Sequence, residues 1–224
     1  MRIGILGGTG PEGKGLAVRW ALAGEEVLIG SRDATRAHQA VQEVLALCPG
    51  GKVHGMLNSA VAQQAEVVVV AVPYEGQKET LTALRPSLAG KILVDVVAPL
   101  TFIRGRARAV LVPEGSAAQQ AQAVVPEARV VAAFHTISAH DLLHPPAPIP
   151  CDVLVCADDA EAKRTVMALA ERIPGVRAVD ANGLECARYV EEMVALLLNI
   201  NRIYKGSRSM VRIVGLVGAP PPQG

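Results

Sequence analysis

RIGILGGTGPEGKG, residues 2–15, carries an apolar run into a glycine-rich turn, and LAVRWALAG at 16–24 follows with helical patterning and Gly24 as a stop. The next run, EVLIG at 26–30, reads as a second strand, so residues 2–30 form a βαβ unit. Gly8, Gly10 and Gly13 stand in G-x-G-x-x-G register. In that register the first glycine allows a tight turn, the second lets backbone N–H groups approach a pyrophosphate, and the third lets the helix pack close to the strand. The helix start then offers unpaired amides and a positive dipole end to the anion. A glycine loop without a ligand is the bland alternative, and the flanking strand and helix favour a dinucleotide site.

The tip of the second strand decides which dinucleotide. NAD needs a carboxylate there for the ribose 2′-OH, whereas this chain offers Gly30-Ser31-Arg32, with Arg36 one helical turn on. A hydroxyl and two guanidinium groups suit a 2′-phosphate, through charge-assisted hydrogen bonds. Asp33 is the opposing acid, and it reads as the N-cap of the helix that follows. The expected cofactor is NADP(H).

Half of the 224 residues are apolar and only 3% are aromatic, so the core must be aliphatic. Valine-rich runs at 66–72 and 91–97 suit a parallel sheet covered on both faces. A net charge of +1 argues against a nucleic-acid partner. Cys48, Cys151, Cys156 and Cys186 show neither a C-x-x-C pair nor zinc-ligand spacing, which points to reduced thiols and a cytoplasmic location. The chain starts directly on its first strand, with no leader pattern, and no apolar run approaches the ~18 residues of a membrane helix.

Further strands are expected at 52–56, 66–72, 91–96 and 129–134, and helices at 58–64, 75–88 and 116–125, with an irregular segment at 99–113. This alternation defines an α/β fold: a Rossmann-type, doubly wound, mostly parallel sheet. Four prolines within 145–150 read as a linker. They divide an NADP-binding domain, 1–138, from a small C-terminal α/β domain, 139–224, that ends in a long helix at 184–204. The tail GAPPPQG offers nothing to bury and is expected to be loose.

Ligands of such a sheet bind beyond the carboxyl ends of its strands. Val72, Pro73, Tyr74 and Ala98 would form an apolar wall there, and His135 is the ionisable side chain at the later edge, with a structural imidazole as its alternative role. No Tyr-x-x-x-Lys pair is present, and no metal is expected, because Pro145 and Pro146 cut off the His140/His144 pair. No lysine-and-carboxylate proton relay is visible either. Hydride transfer to an acceptor that stabilises its own charge needs only two rings held face to face.

The opening residues 2–32, then AVPYEG, VVAAFHTISA and LLLNINR, resemble the NADPH-dependent reductases of the deazaflavin coenzyme F420 across nearly the whole chain. The resemblance implies direct hydride transfer between C4 of NADPH and C5 of the deazaflavin, in a cleft closed by the C-terminal domain. By position it places Thr9, Gly10, Pro11 and Glu12 at the pyrophosphate, Ser31, Arg32 and Arg36 at the 2′-phosphate, and Pro73 and Tyr74 at the nicotinamide. His135 and Ile137 would lie against the acceptor ring, with Arg188 and Val194 on the closing helix. Glu192 and Val194 depart from the hydroxyl side chains of the family pattern there. Arg202, Lys205, Arg208 and Arg212 are candidate cations for the anionic tail of the coenzyme. A reductase of another acceptor (a flavin coupled to ferric iron, an imine or a ketone) and a non-catalytic NADPH sensor remain open. The apolar last helix predicts a homodimer.

Overall fold

Continuous apolar runs separated by glycines and capping side chains become buried strands with covering helices. A computed structural model describes residues 1–217, so the tail at 218–224 lies outside the described residues. The first half comprises β1 (Arg2–Leu6), α1 (Pro11–Leu22), β2 (Glu26–Ser31), α2 (Ala34–Leu47), β3 (Lys52–Leu57), α3 (Asn58–Gln64), β4 (Val67–Val70), α4 (Tyr74–Leu88) and β5 (Ile92–Asp95). A hairpin of β6 (Leu100–Ile103) and β7 (Arg106–Ala109) precedes α5 (Ala117–Val124), β8 (Arg129–Ala132) and α6 (Ala139–Leu142). Then come β9 (Asp152–Ala157), α7 (Ala160–Glu171), β10 (Arg177–Asp180), a 3-10 turn at Leu184–Cys186 and α8 (Ala187–Ile203).

Eight strands form one sheet in the order 3-2-1-4-5-8-9-10, with β8 and β9 antiparallel and every other neighbouring pair parallel. Alternation along β1 sends Ile3 and Ile5 to one core layer, with Trp20 and Phe134, and Leu6 to the other, with Leu81 and Leu93. Asp33 caps α2 by accepting from Thr35 N at 2.8 Å, as expected. Gly24 stops α1 with a φ of +88°. Among the described residues, no helix is long and apolar enough to cross a membrane.

The strands after residue 138 extend the same sheet. Their connection, expected to be an irregular linker, contains the single-turn α6, and this turn is fixed to α1 by a buried guanidinium. Arg19 donates to the Leu142 carbonyl at 2.9 Å, to that of Ala147 at 2.9 Å, and to that of Asp141. Replacing Arg19 with Met should lower unfolding free energy by roughly 2–3 kcal/mol in denaturant titrations, since hydrogen bonds from a charged donor are lost and their acceptors stranded. A change below 0.5 kcal/mol would contradict that anchoring role.

The segment at 99–113, expected to be irregular, is instead the β6–β7 hairpin. Its two-residue turn is Arg104-Gly105, both at positive φ (49° and 72°). The tertiary partner explains why the sequence hid it. Asn199 of α8 pairs like a strand residue, accepting from Ala107 N at 3.1 Å and donating to Ala107 O at 2.8 Å.

Candidate active site

The chain leaves β1 through Gly7, whose φ of +67° makes the tight turn. The expectation assigned that turn to Gly8; Gly8 instead supplies close approach, since a Cβ on Gly13 would lie 2.7 Å from the Gly8 Cα. The turn is fixed from outside by two bonds. Gly8 N donates to Gly30 O at 2.9 Å, and Gly7 N donates to Asn58 Oδ1 at 3.2 Å. Asn58, fifty-one residues beyond Gly7, is a positioning side chain that the motif does not reveal.

Gly10 is the N-cap of α1 and Pro11 its first residue. A Cβ on Gly10 would meet nothing within 4 Å. The amides of this first turn lack intrahelical acceptors, so the geometry provides donors, a dipole end and open space together. Among the described residues Glu12 has one carboxyl oxygen without a partner, and burial pushes its carboxyl up to about 8. At neutral pH it is therefore mostly uncharged and compatible with a neighbouring anion. These features fit a bound pyrophosphate.

At the end of β2, Ser31 is buried and its Oγ accepts from Asp33 N at 3.1 Å, which leaves its O–H free to donate. Asp33 is engaged in capping. Arg32 and Arg36 are exposed and make no hydrogen bond or ion pair among the described residues. Two free guanidinium groups at this rim fit a 2′-phosphate.

Thr9, Gly10, Pro11, Glu12, Gly13, Val72, Pro73, Tyr74, Ala98, His135 and Val194 line one cleft of about 510 Å³. Leu100 of the hairpin contributes to the wall. Ser31, Arg32 and Arg36 lie outside it, at the β2 rim. Ile137 is in the core cluster and Arg188 is exposed, and neither lines the cleft. Arg208 is engaged by Asp141 at 3.0 Å, while Arg202, Lys205 and Arg212 are exposed.

His135 enters the cleft because the preceding residue breaks the strand. Phe134 has a φ of +68°, a strained conformation for a bulky side chain, and its ring packs edge-on against Trp20 at 5.5 Å. Burial holds the imidazole down at about 4, with the Val97 backbone opposing, so His135 is neutral at pH 7. Among the described residues, neither ring nitrogen has a hydrogen bond of good geometry.

Asp95 and Glu191 stand beside it, and the sequence reading missed both. One polar atom from each of the three residues lies within 4.8 Å of the other two. Glu191 accepts from Ala117 N at 2.7 Å and Ala118 N at 3.1 Å, yet burial still pushes it up to about 7. Burial first, and Glu191 second, raise Asp95 well above the usual carboxylate range. The available signals were a lone acid inside the apolar run KILVDVV and the helical phase that turns Glu191 inward while Glu192 faces solvent.

A doubly wound sheet, a glycine turn with open space above it and a rim of free arginines define a dinucleotide-dependent oxidoreductase of the NADP-binding class. A family model described as NADP oxidoreductase, coenzyme F420-dependent, matches residues 2–99. The F420-dependent NADP reductase of Methanothermobacter marburgensis is 42% identical over 96% of this chain and 99% of its own length. That of Methanocaldococcus jannaschii is 37% identical over the same shares. The crystal structure of a putative F420-dependent NADP reductase from Arthrobacter sp. FB24 superposes with a TM-score of 0.83 at 30% identity, covering 96% of this chain and 100% of that one. The chain belongs to the F420-dependent NADP reductase family.

Proposed function

We propose that the protein passes a hydride directly between C4 of NADP(H) and C5 of coenzyme F420, both small-molecule co-substrates, with the two rings face to face in the cleft. The observation that carries this reading is the joining, in the lining of a single cleft, of the glycine turn, the apolar residues Val72, Pro73, Tyr74 and Ala98, and the later residues His135 and Val194. The nucleotide supplies the hydride and the deazaflavin the electrophilic carbon. The chain's residues bind, align and exclude water.

Thr9, Gly10, Glu12 and Gly13 would hold the pyrophosphate, and Ser31, Arg32 and Arg36 the 2′-phosphate. His135 and Val194 would contact the acceptor, with Ile137 backing His135 from the core. The segment 139–224 would close the cleft, through α8. Relatives named for F420-dependent reduction, similar along their whole length, favour this acceptor over a flavin with ferric iron, an imine or a ketone, and over a sensor role.

Copies of the chain are proposed to pair through the exposed apolar side chains of α8 and the hairpin, among them Tyr189, Leu196, Ile203 and Phe102. Three buried free thiols, Cys48, Cys151 and Cys156, support a reducing, cytoplasmic setting. The deciding experiment mixes the protein anaerobically with NADPH deuterated at C4 and oxidised F420. Deuterium recovered at C5 of the deazaflavin supports the reading. Oxidation of NADPH that leaves the deazaflavin unlabelled refutes it.

A further inference from the structure

Ring stacking does not require the buried trio of Asp95, His135 and Glu191, of which His135 lines the cleft and the two acids stand behind it. Asp95 ends β5, His135 follows β8 and Glu191 faces inward from α8, so three separate elements bring them together. Asp95 is fully buried, and Glu191 and His135 nearly so. Among the described residues no lysine or arginine pairs with any of them. The other groups that act on them bring no positive ion. Glu192 on the same helix, Ser116 at the start of α5 and Cys156 of β9 bear on Glu191, and the Val97 backbone bears on His135.

Two carboxylates this close in a dry site do not both stay ionised. Glu191 sits on the amides that open α5, which favours its anionic form. Asp95 satisfies one oxygen with Val97 N at 3.0 Å and, among the described residues, leaves Oδ2 without a partner. The shared proton therefore belongs on Asp95.

We propose that Asp95 and His135 deliver the proton that accompanies each hydride, with Glu191 as the positioning anion. This rests on the hydride-transfer reading above. Conversion of a deazaflavin to its 1,5-dihydro form requires a hydride at C5 and a proton at N1, so NADPH alone, leaving as NADP+, falls one proton short. With the co-substrates bound, Asp95 and His135 close from their present spacing, under 4.8 Å but not hydrogen-bonded, to hydrogen-bond distance, and the O–H bond of Asp95 breaks as an N–H bond forms on one His135 nitrogen. The N–H bond on the other His135 nitrogen breaks as the acceptor N–H bond forms. His135 ends neutral with its tautomer exchanged, and a solvent proton taken up at its cleft-side nitrogen, as the opposite N–H returns its proton to Asp95, restores both groups. In the reverse reaction the same groups take the proton away. An imidazole kept neutral by burial suits this task, since it accepts at one nitrogen and donates at the other.

Infrared difference spectra of the ligand-free protein at neutral pH, wild type against Asp95→Asn, should show a carboxylic-acid carbonyl stretch that the variant lacks. Absence of that band overturns the proposal whatever the activity. In turnover toward reduced deazaflavin, the wild type should show a solvent deuterium isotope effect on the transfer step. Asp95→Asn should lower kcat about 100-fold with KM for NADPH unchanged and flatten its pH profile. Glu191→Gln, which keeps the side chain's size but turns one of its two accepting oxygens into a donor facing an α5 amide, should shift that profile with a smaller loss. A folded Asp95→Asn variant that keeps the wild-type rate and profile overturns the proposal. Should that variant fail to fold, the solvent isotope effect of the wild type decides, and its absence is fatal. A wild type that transfers no hydride refutes the functional reading instead, and the infrared band still reports whether Asp95 stores a proton.

Discussion

Gly10→Val is expected to fold as the parent does and to lose nucleotide affinity by at least about 100-fold, or roughly 3 kcal/mol. The two halves of that result have separate causes. Gly10 has an ordinary extended backbone, φ −77° and ψ 167°, which valine adopts freely, and a Cβ there touches nothing within 4 Å. Its cost to the fold is that of a poor N-cap, about 1 kcal/mol. The space the side chain fills is the space a pyrophosphate needs, directly over the amides of the first turn of α1. Gly13→Ala is the contrasting case. Its Cβ would press on the Gly8 Cα at 2.7 Å and on the Gly8 carbonyl carbon and oxygen at 3.0 Å, so backbone must move and both stability and binding should fall. Calorimetric titration with NADPH alongside thermal unfolding separates the two. A Gly10→Val protein that binds NADPH as tightly as the parent places the phosphates elsewhere.

What the sequence revealed was local, and what it hid was assembled across the chain. The βαβ opening, the Ser31-Arg32 strand end and the Asp33 cap are each written within a few consecutive residues, where periodicity and capping chemistry act directly. The hairpin was hidden because Asn199, ninety-two residues from Ala107, pairs with both backbone groups of that strand residue. The Pro-rich connection was hidden because Arg19, inside a stretch read only as helical, turns inward to three backbone carbonyls. The Asp95, His135 and Glu191 cluster is hidden most deeply. Each residue has a bland explanation in its own segment, and only the sheet order, which sets β5 beside β8 with α8 packed above, makes them neighbours. Burial then raises both carboxyl groups above their ordinary range, and Glu191 adds to the rise at Asp95.

Removing both guanidinium groups at the β2 rim, Arg32→Ala with Arg36→Ala, should collapse the preference for NADPH over NADH by about 100-fold. Charge-assisted hydrogen bonds to a phosphate contribute roughly 1.5–3 kcal/mol each, and exposure of both side chains puts the pair near the lower end of the sum. NADH lacks the 2′-phosphate, so its kcat/KM should change by less than about threefold, on the order of 0.6 kcal/mol. The loss for NADPH should appear in KM with kcat preserved, because these contacts are made equally in ground and transition states. Asp33 cannot substitute as a ribose acceptor while its carboxylate holds Thr35 N at 2.8 Å. The double variant should therefore become a weak, indifferent user of both nucleotides, without turning into an NAD enzyme. Ionic strength gives an independent check: screening should raise the wild-type KM for NADPH well beyond that for NADH and leave the variant nearly insensitive. A ratio of kcat/KM values for the two nucleotides that stays within twofold of wild type removes the arginines from the site and leaves Ser31 to account for any preference.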